Sequence, residues 1–354
     1  MGQELMFPTS VVGSMPRPAW VRRLINEDVE IDPTDRASWL NAAIRSVIAL
    51  QEAAGLDVVT DGEWGRKSYI GVIAELADGF ELSTSEDGRP WTVVTERLTP
   101  RESGHIAQEV ARTRQWTTRQ IKATLPAPAL LGERMWDPVQ SRAAYPTRES
   151  FVEACVPILR REVELLKDAG VSIVQIDDPH LCLFVDPEVR SQYDDPDGAA
   201  DFSVAMTNQV VEGIEGVRLA VHLCRRAGAR VRGDHAHEGG YGPILGALNR
   251  LKVHHLTMEF TAPQAGDMSV FRELRDDFEI GLGCVGCHPG HVDSPEEIVE
   301  RVETALEHID AGRVTLNPDC GFAPGSAAEV SLDEVFVKLC NEVEAARRLR
   351  ERYG

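Results

Sequence analysis

The nine residues VSIVQIDDP (171–179) decide how the chain is read. A β-branched, apolar run stops at two carboxylates and a proline. Behind it, residues 148–169 repeat apolar side chains at helical spacing, and Gly170 closes that pattern. Helix, glycine, buried strand and polar strand end recur in this order along the chain. Candidate strands fall at 9–12, 57–60, 121–125, 172–176, 218–221, 255–258, 279–283 and 313–316. The clearest helical patterns lie at 39–54, 148–169, 206–216, 241–251, 294–308 and 332–350. Ser294-Pro295-Glu296-Glu297 opens one of these with a cap, and Gly55 ends another. Strands alternating with helices in this number predict an α/β fold, a TIM (β/α)8 barrel forming one domain over residues 1–354. Residues 65–118 are too many for a single crossover and contain Pro90-Trp91-Thr92-Val93-Val94. They read as an insertion after strand 2, a hairpin plus a helix. An open doubly wound sheet competes, but no Gly-x-Gly-x-x-Gly turn follows any strand.

Working outward from Asp177-Asp178, the residues with chemical potential sit just after strand candidates. They are Gly13-Ser14, Asp61-Gly62-Glu63, Asp177-Asp178, His222-x-Cys224, Glu259, His288 and Cys320. In a barrel these positions converge on one rim, at the carboxyl ends of the strands. His222 and Cys224 are two apart at a strand end, so both side chains face one way. Glu259 and Cys320 end two other strands. One imidazole, one carboxylate and two thiols make a tetrahedral set of the donor types that zinc prefers. Cys284-x-x-Cys287, followed by His288, has the spacing of a zinc knuckle or redox pair, but there is no second such pair. Packing is expected for these two cysteines, while His235 and His237 leave a second metal open.

Charge bounds the partners. Lys and Arg number 37 against 57 Asp and Glu, a net of −20, which argues against nucleic acid and against an anionic membrane surface. No stretch of about 18 apolar residues is present, so no membrane span is expected. The start, MGQELMFPTS, lacks a basic flank followed by an apolar run, so no export signal is expected. The seven cysteines, Cys155 to Cys340, are then expected reduced and the protein cytoplasmic.

Taken together, the motifs resemble the zinc-carrying carboxyl-terminal barrel of cobalamin-independent methionine synthases and their single-barrel relatives. The matching pieces are Val12-Gly13-Ser14, Asp61-Gly62-Glu63, Gln175-Ile176-Asp177-Asp178-Pro179, His222-Leu223-Cys224, Glu259, Gly283-x4-His288 and Asn317-Pro318-Asp319-Cys320-Gly321. They run in family order over nearly the whole chain. The resemblance implies zinc on His222, Cys224, Glu259 and Cys320, with Glu63 and Asp177 holding the ammonium of homocysteine. It also implies that Gly13 and Ser14 grip the amino acid's carboxylate and that His288 serves in proton transfer. The chain departs from the family in lacking the additional amino-terminal barrel, in Asp178 where the family has Glu, and in Arg225-Arg226 after the His-x-Cys pair.

The expected activity is therefore zinc-dependent S-methyl transfer to a small thiol, homocysteine, giving methionine. The methyl donor is left open between a folate, a corrinoid protein and a small metabolite. Competing readings are alkylation of a sulfonate thiol of the coenzyme M type, a metal-free decarboxylase on the same barrel, and a non-catalytic zinc or thiol binder. Bland roles stand beside the functional ones: Asp61, Asp177 and Asp178 as loop caps, Ser14 as a helix cap, and His288 packed beside Cys287.

Overall fold

The computed structural model describes residues 5–26, 30–84, 90–102, 104–225, 237–323 and 330–354. Strand β1 (Val58–Val59) is followed by an antiparallel pair, β2 (Ala77–Thr84) and β3 (Pro90–Pro100). Then come β4 (Gln120–Pro126), β5 (Ile173–Asp177), β6 (Arg218–Leu223), β7 (His255–Glu259), β8 (Glu279–Val285) and β9 (Val314–Pro318). Strands β1 and β4 to β9 form one parallel sheet in chain order, while β2 and β3 form a sheet of their own. Thr9 bridges Leu316 on β9 and Ser10 bridges Val58 on β1, both in parallel, so residues 9–10 touch both edges of the seven-stranded sheet. This α/β topology fits a TIM-like barrel. The central strands β6 and β7 are buried nearly throughout, as expected where helices cover one face and barrel interior the other.

The first two expected strands are shorter in the structure than in the sequence pattern, for a visible reason: side chains occupy their ladder positions. Thr9 N donates to Asp57 Oδ2 at 2.9 Å. Thr60 N donates to Gln51 Oε1 at 3.0 Å, and Gln51 Nε2 returns a bond to the Thr60 carbonyl at 2.9 Å. These backbone groups are satisfied without a strand partner.

Helix starts also lie upstream of their apolar patterns. The helix expected at 39–54 spans Pro33–Ala54, capped by Asp32 with Pro33 in the first turn. The one expected at 206–216 spans Pro196–Val211, capped by Asp195. Periodicity reports only the buried stripe, and exposed first turns carry none. At 241–251 only a 3-10 turn (Gly242–Ile244) and one α turn (Leu245–Leu248) form, in a stretch weakened by Gly242, Pro243 and Gly246. Helices Arg148–Asp168, Pro295–Leu306 and Leu332–Tyr353 lie where the pattern placed them. The β2–β3 pair and helix His105–Thr113 occupy the stretch read as a hairpin plus helix. Among the described residues, no helix is long and apolar enough to cross a membrane.

Candidate metal and substrate site

Parallel strands deliver their carboxyl ends to one rim, and three expected ligands meet there. His222 lies near the end of β6, Cys224 just beyond it, and Cys320 just beyond β9. Their ligand atoms all lie within 4.8 Å of one another, and all three residues are buried. The Cys224 and Cys320 sulfurs are 3.2 Å apart and both cysteines are free. His222 Nδ1 sits 3.1 Å from Asp177 Oδ1. Since a carboxylate accepts, Nδ1 carries the proton, and in the neutral ring Nε2 presents its lone pair. That Nε2 is buried with no hydrogen-bond partner.

The electrostatics favour positive charge at this point. Burial opposes charge on His222, yet Asp177 and Cys224 outweigh it and push the imidazole up to about 10. Cys320 is held well above the usual thiol range, first by its bond with Cys224 and then by burial. Two buried thiolates at this separation repel strongly unless positive charge lies between them. An orphaned imidazole nitrogen and two apposed thiols fit zinc in both donor type and burial.

Glu259 stands outside this triplet. It is fully buried at the end of β7, and its Oε2 accepts from the Arg225 backbone N–H at 2.9 Å. Arg225, which follows the His-x-Cys pair, is itself fully buried and is not among the residues lining the cavity. Its guanidinium donates to the carbonyls of Gly239 and Ala265 and to the Tyr241 hydroxyl, and stacks on the Tyr241 ring. Arg226 and His235 lie outside the described residues.

The triplet opens on a cavity of about 1390 Å³, which Gly13, Ser14, Glu63 and Asp177 also line. Glu63 is held by an unusual backbone: Gly62 and Glu63 are both left-handed, at φ 68° and 57°. For a non-glycine residue that conformation is uncommon and concentrates at functional sites. Asp61 Oδ1 secures the turn by accepting from Glu63 N at 2.8 Å, so the capping role fits Asp61. The Glu63 carboxyl accepts from Thr124 Oγ1 at 2.8 Å; burial pushes its pKa up against the pull of Arg66, with Asp177 adding to the rise. A Cβ on Gly13 would lie 2.9 Å from Glu63 Oε1 and 2.8 Å from Thr124 Cγ2, so only glycine leaves the carboxyl room there.

Ser14 abuts the loop that carries Cys320. Its carbonyl accepts from Phe322 N at 2.9 Å and its Oγ from Ala323 N at 3.3 Å. A Cβ on Gly321 would come within 2.2 Å of that Oγ. Asp178 is a cap, accepting from Leu181 N at 2.9 Å and from Ser203 Oγ at 2.6 Å.

His288 is not among the residues lining the cavity. It belongs to the loop after β8, where fully buried Lys338 donates to the carbonyls of Gly286, His288 and His291. The two nearby cysteines pack against backbone. Cys287 Sγ lies 3.0 Å from the Cys320 carbonyl and accepts from Cys320 N at 3.2 Å, while Cys284 Sγ approaches the Asn317 carbonyl at 3.7 Å. His237 pairs with Asp186.

Several contributors received no role from the sequence. Gln175, fully buried, donates to Asp177 Oδ1 at 2.8 Å and to the Val12 carbonyl at 3.1 Å. It sits in the quoted stretch, two residues before Asp177, and that period-2 spacing was the available signal. Asp319 ties the ends of β7 and β9 by accepting from Phe260 N and Thr261 N. Tyr69 lines the cavity; burial raises its hydroxyl pKa against Arg134, with Asp177 and the two thiols adding to the rise, so it remains an O–H donor. Arg17 and Arg134 also line it.

Comparison with known proteins agrees with this geometry. The methionine synthase of Saccharolobus islandicus (strain L.S.2.15) is 25% identical over 360 residues, covering 99% of this chain and 97% of that protein. The methionine synthase of Pyrococcus furiosus is 26% identical over 358 residues, covering 98% and 94%. Among solved structures, a B12-independent methionine synthase from Shewanella sp. W3-18-1, in complex with selenomethionine, superposes with a TM-score of 0.78. It is 20% identical over 98% of both chains. A putative vitamin-B12 independent methionine synthase from Listeria monocytogenes gives 0.73 at 22% identity, covering 98% and 99%. The family described as cobalamin-independent synthase, catalytic domain, matches residues 7–348, and the chain belongs to that family.

Proposed function

We propose that this protein is a zinc-dependent S-methyltransferase that methylates homocysteine to methionine in the cytoplasm. The observation that carries the reading is the buried triplet His222, Cys224 and Cys320, its ligand atoms within 4.8 Å of one another beside a large cavity. Family membership and the methionine synthase relatives give the triplet its chemistry. We read the fold as a single eight-stranded barrel in which residues 65–118 are an insertion.

In this reading His222, Cys224 and Cys320 would hold the zinc, with Glu259 as the fourth ligand. Zinc bound there would lower the pKa of an incoming thiol and hold its sulfur as thiolate, the nucleophilic form. The protein residues do the rest. Asp177 fixes the His222 tautomer with one oxygen, and Gln175 fixes Asp177. Glu63 and Asp177 take the substrate ammonium, and Gly13 with Ser14 forms the wall for its carboxylate. Tyr69 offers a neutral donor near the sulfur. His288, whose loop Lys338 holds outside the cavity lining, returns a proton to the departing group through water. The cavity is wider than one small amino acid needs, which suits a second substrate, the donor.

Alkylation of a sulfonate thiol fits less well. Glu63 and Asp177 line the cavity together with Arg17 and Arg134, a pairing of signs that matches a zwitterion, whereas a sulfonate thiol offers no ammonium to the two carboxylates. The test is zinc analysis of the purified protein combined with a thiol screen. One equivalent of zinc, with binding of homocysteine but not of coenzyme M, is expected. Metal-free protein, or binding of coenzyme M alone, would refute the reading.

A further inference from the structure

Among the described residues, the two buried arginines beside the site are satisfied by the fold, and one partly buried arginine on the cavity wall is not. Arg66 makes two bonds to Glu109 Oε2 and two to Thr124. Arg225 has three oxygen partners and an aromatic face. Arg17, which lines the cavity, makes a single hydrogen bond, from an Nη nitrogen to the Glu63 carbonyl at 2.7 Å. Its Nε is buried with no partner, and no carboxylate lies within ion-pair distance among the described residues. A guanidinium offers five donors, and a fork of Nε and Nη is the edge that takes a carboxylate in two parallel bonds. Burying such a group without a counter-charge is costly unless a ligand supplies one. Burial accordingly lowers the Arg17 pKa, with Glu63 and Asp61 only partly opposing.

We propose that Arg17 anchors the carboxylate of the substrate thiol, so that Arg17 and Glu63 together recognise its zwitterionic amino-acid end. The inference rests on the homocysteine reading above. The juxtaposition favours the thiol over the methyl donor. In an α-amino acid the ammonium and carboxylate share one carbon, so their anchors must be neighbours. Arg17 bonds to the backbone of the residue assigned to the ammonium and lies three residues after Ser14. Pro16 and Pro18 flank it, and each proline restricts the conformation of the residue before it, which limits where the side chain can start.

The test compares two thiols on the zinc-loaded protein by calorimetry: homocysteine, and 3-aminopropane-1-thiol, which is homocysteine without its carboxylate. Arg17→Met is expected to weaken homocysteine by about ten- to a hundred-fold, the scale of a lost charge-assisted hydrogen-bond pair, and to change the aminothiol less than about twofold. Arg17→Lys should recover part of the loss, because a point charge replaces a fork. Equal weakening of both thiols, or unchanged homocysteine binding with slowed transfer from the donor, would overturn the assignment while leaving the homocysteine reading intact. Failure of the wild-type protein to bind either thiol would overturn both. Zinc content and melting temperature of each variant separate loss of the anchor from loss of the fold.

Discussion

The two ends of the parallel sheet bury polar groups in opposite ways. At the amino-terminal end, a buried amine and a buried carboxyl are linked through Ser10. Lys122 Nζ donates to Ser10 Oγ at 3.1 Å, and Ser10 N donates to Glu342 Oε1 at 3.1 Å. Burial pulls Lys122 down to about 8 and pushes Glu342 up to about 8, so this end is compensated by easing both groups toward their neutral forms. At the carboxyl-terminal end, Asp177, Cys224 and Cys320 gather round the single imidazole of His222. Polar burial by itself does not mark a functional site. What marks this one is a buried imidazole nitrogen left uncompensated beside two apposed thiols.

The largest expected effect comes from removing a ligand at the uncompensated end. Cys320→Ser should lose stoichiometric zinc and lower turnover by more than about a hundred-fold, beyond the range of outer-shell changes. Metal analysis and steady-state kinetics check it, and full zinc with wild-type turnover would break the contrast. Gln175→Leu tests whether support for His222 extends through Asp177. Zinc affinity should fall by about 10- to 100-fold, read by competition with a chelator, with the ligands themselves untouched.

Smaller is the pH effect at the compensated end. Glu342 has a folded pKa near 8, above the ordinary value of 4.5. Its protonated form stabilises the fold fully below pH 4.5, and that contribution is lost as pH rises through 8. Glu342→Gln should therefore flatten the fall in stability between those limits, measured by urea unfolding across pH. The smallest expected effect is that of Cys287→Ala. It removes the sulfur that brackets the Cys320 backbone and should cost about 1–2 kcal/mol of stability while one zinc is retained. Loss of zinc in that variant would move Cys287 into the metal site.

How much of this was legible in the sequence follows from the range of the interactions. The strand run at 171–179 and its helix were readable because burial on both faces writes a continuous apolar stretch. His222 and Cys224 were readable as a pair because both sit at one strand end. Joining them to Cys320, 96 residues away, needed the barrel and the family resemblance, and the structure brings those three atoms together. The two short strands at 57–60 and 9–12 were over-read because Asp57 and Gln51 take ladder bonds, and no pattern announces such a substitution. The pair with the most suggestive spacing, Cys284 and Cys287, spends its sulfurs on backbone carbonyls. Arg17 carried no signal at all, because an unmet guanidinium is a property of its surroundings rather than of its neighbours in sequence.

The seam between residues 9–10 and β9 sets an order of events during synthesis. His222 and Cys224 leave the ribosome about a hundred residues before Cys320, and Ser14 must wait still longer for the 321–323 loop that holds it. A nascent chain therefore exposes two soft ligands with no third to complete them. Under the proposed reading, specific metal loading belongs after translation, once β9 has docked against residues 9–10.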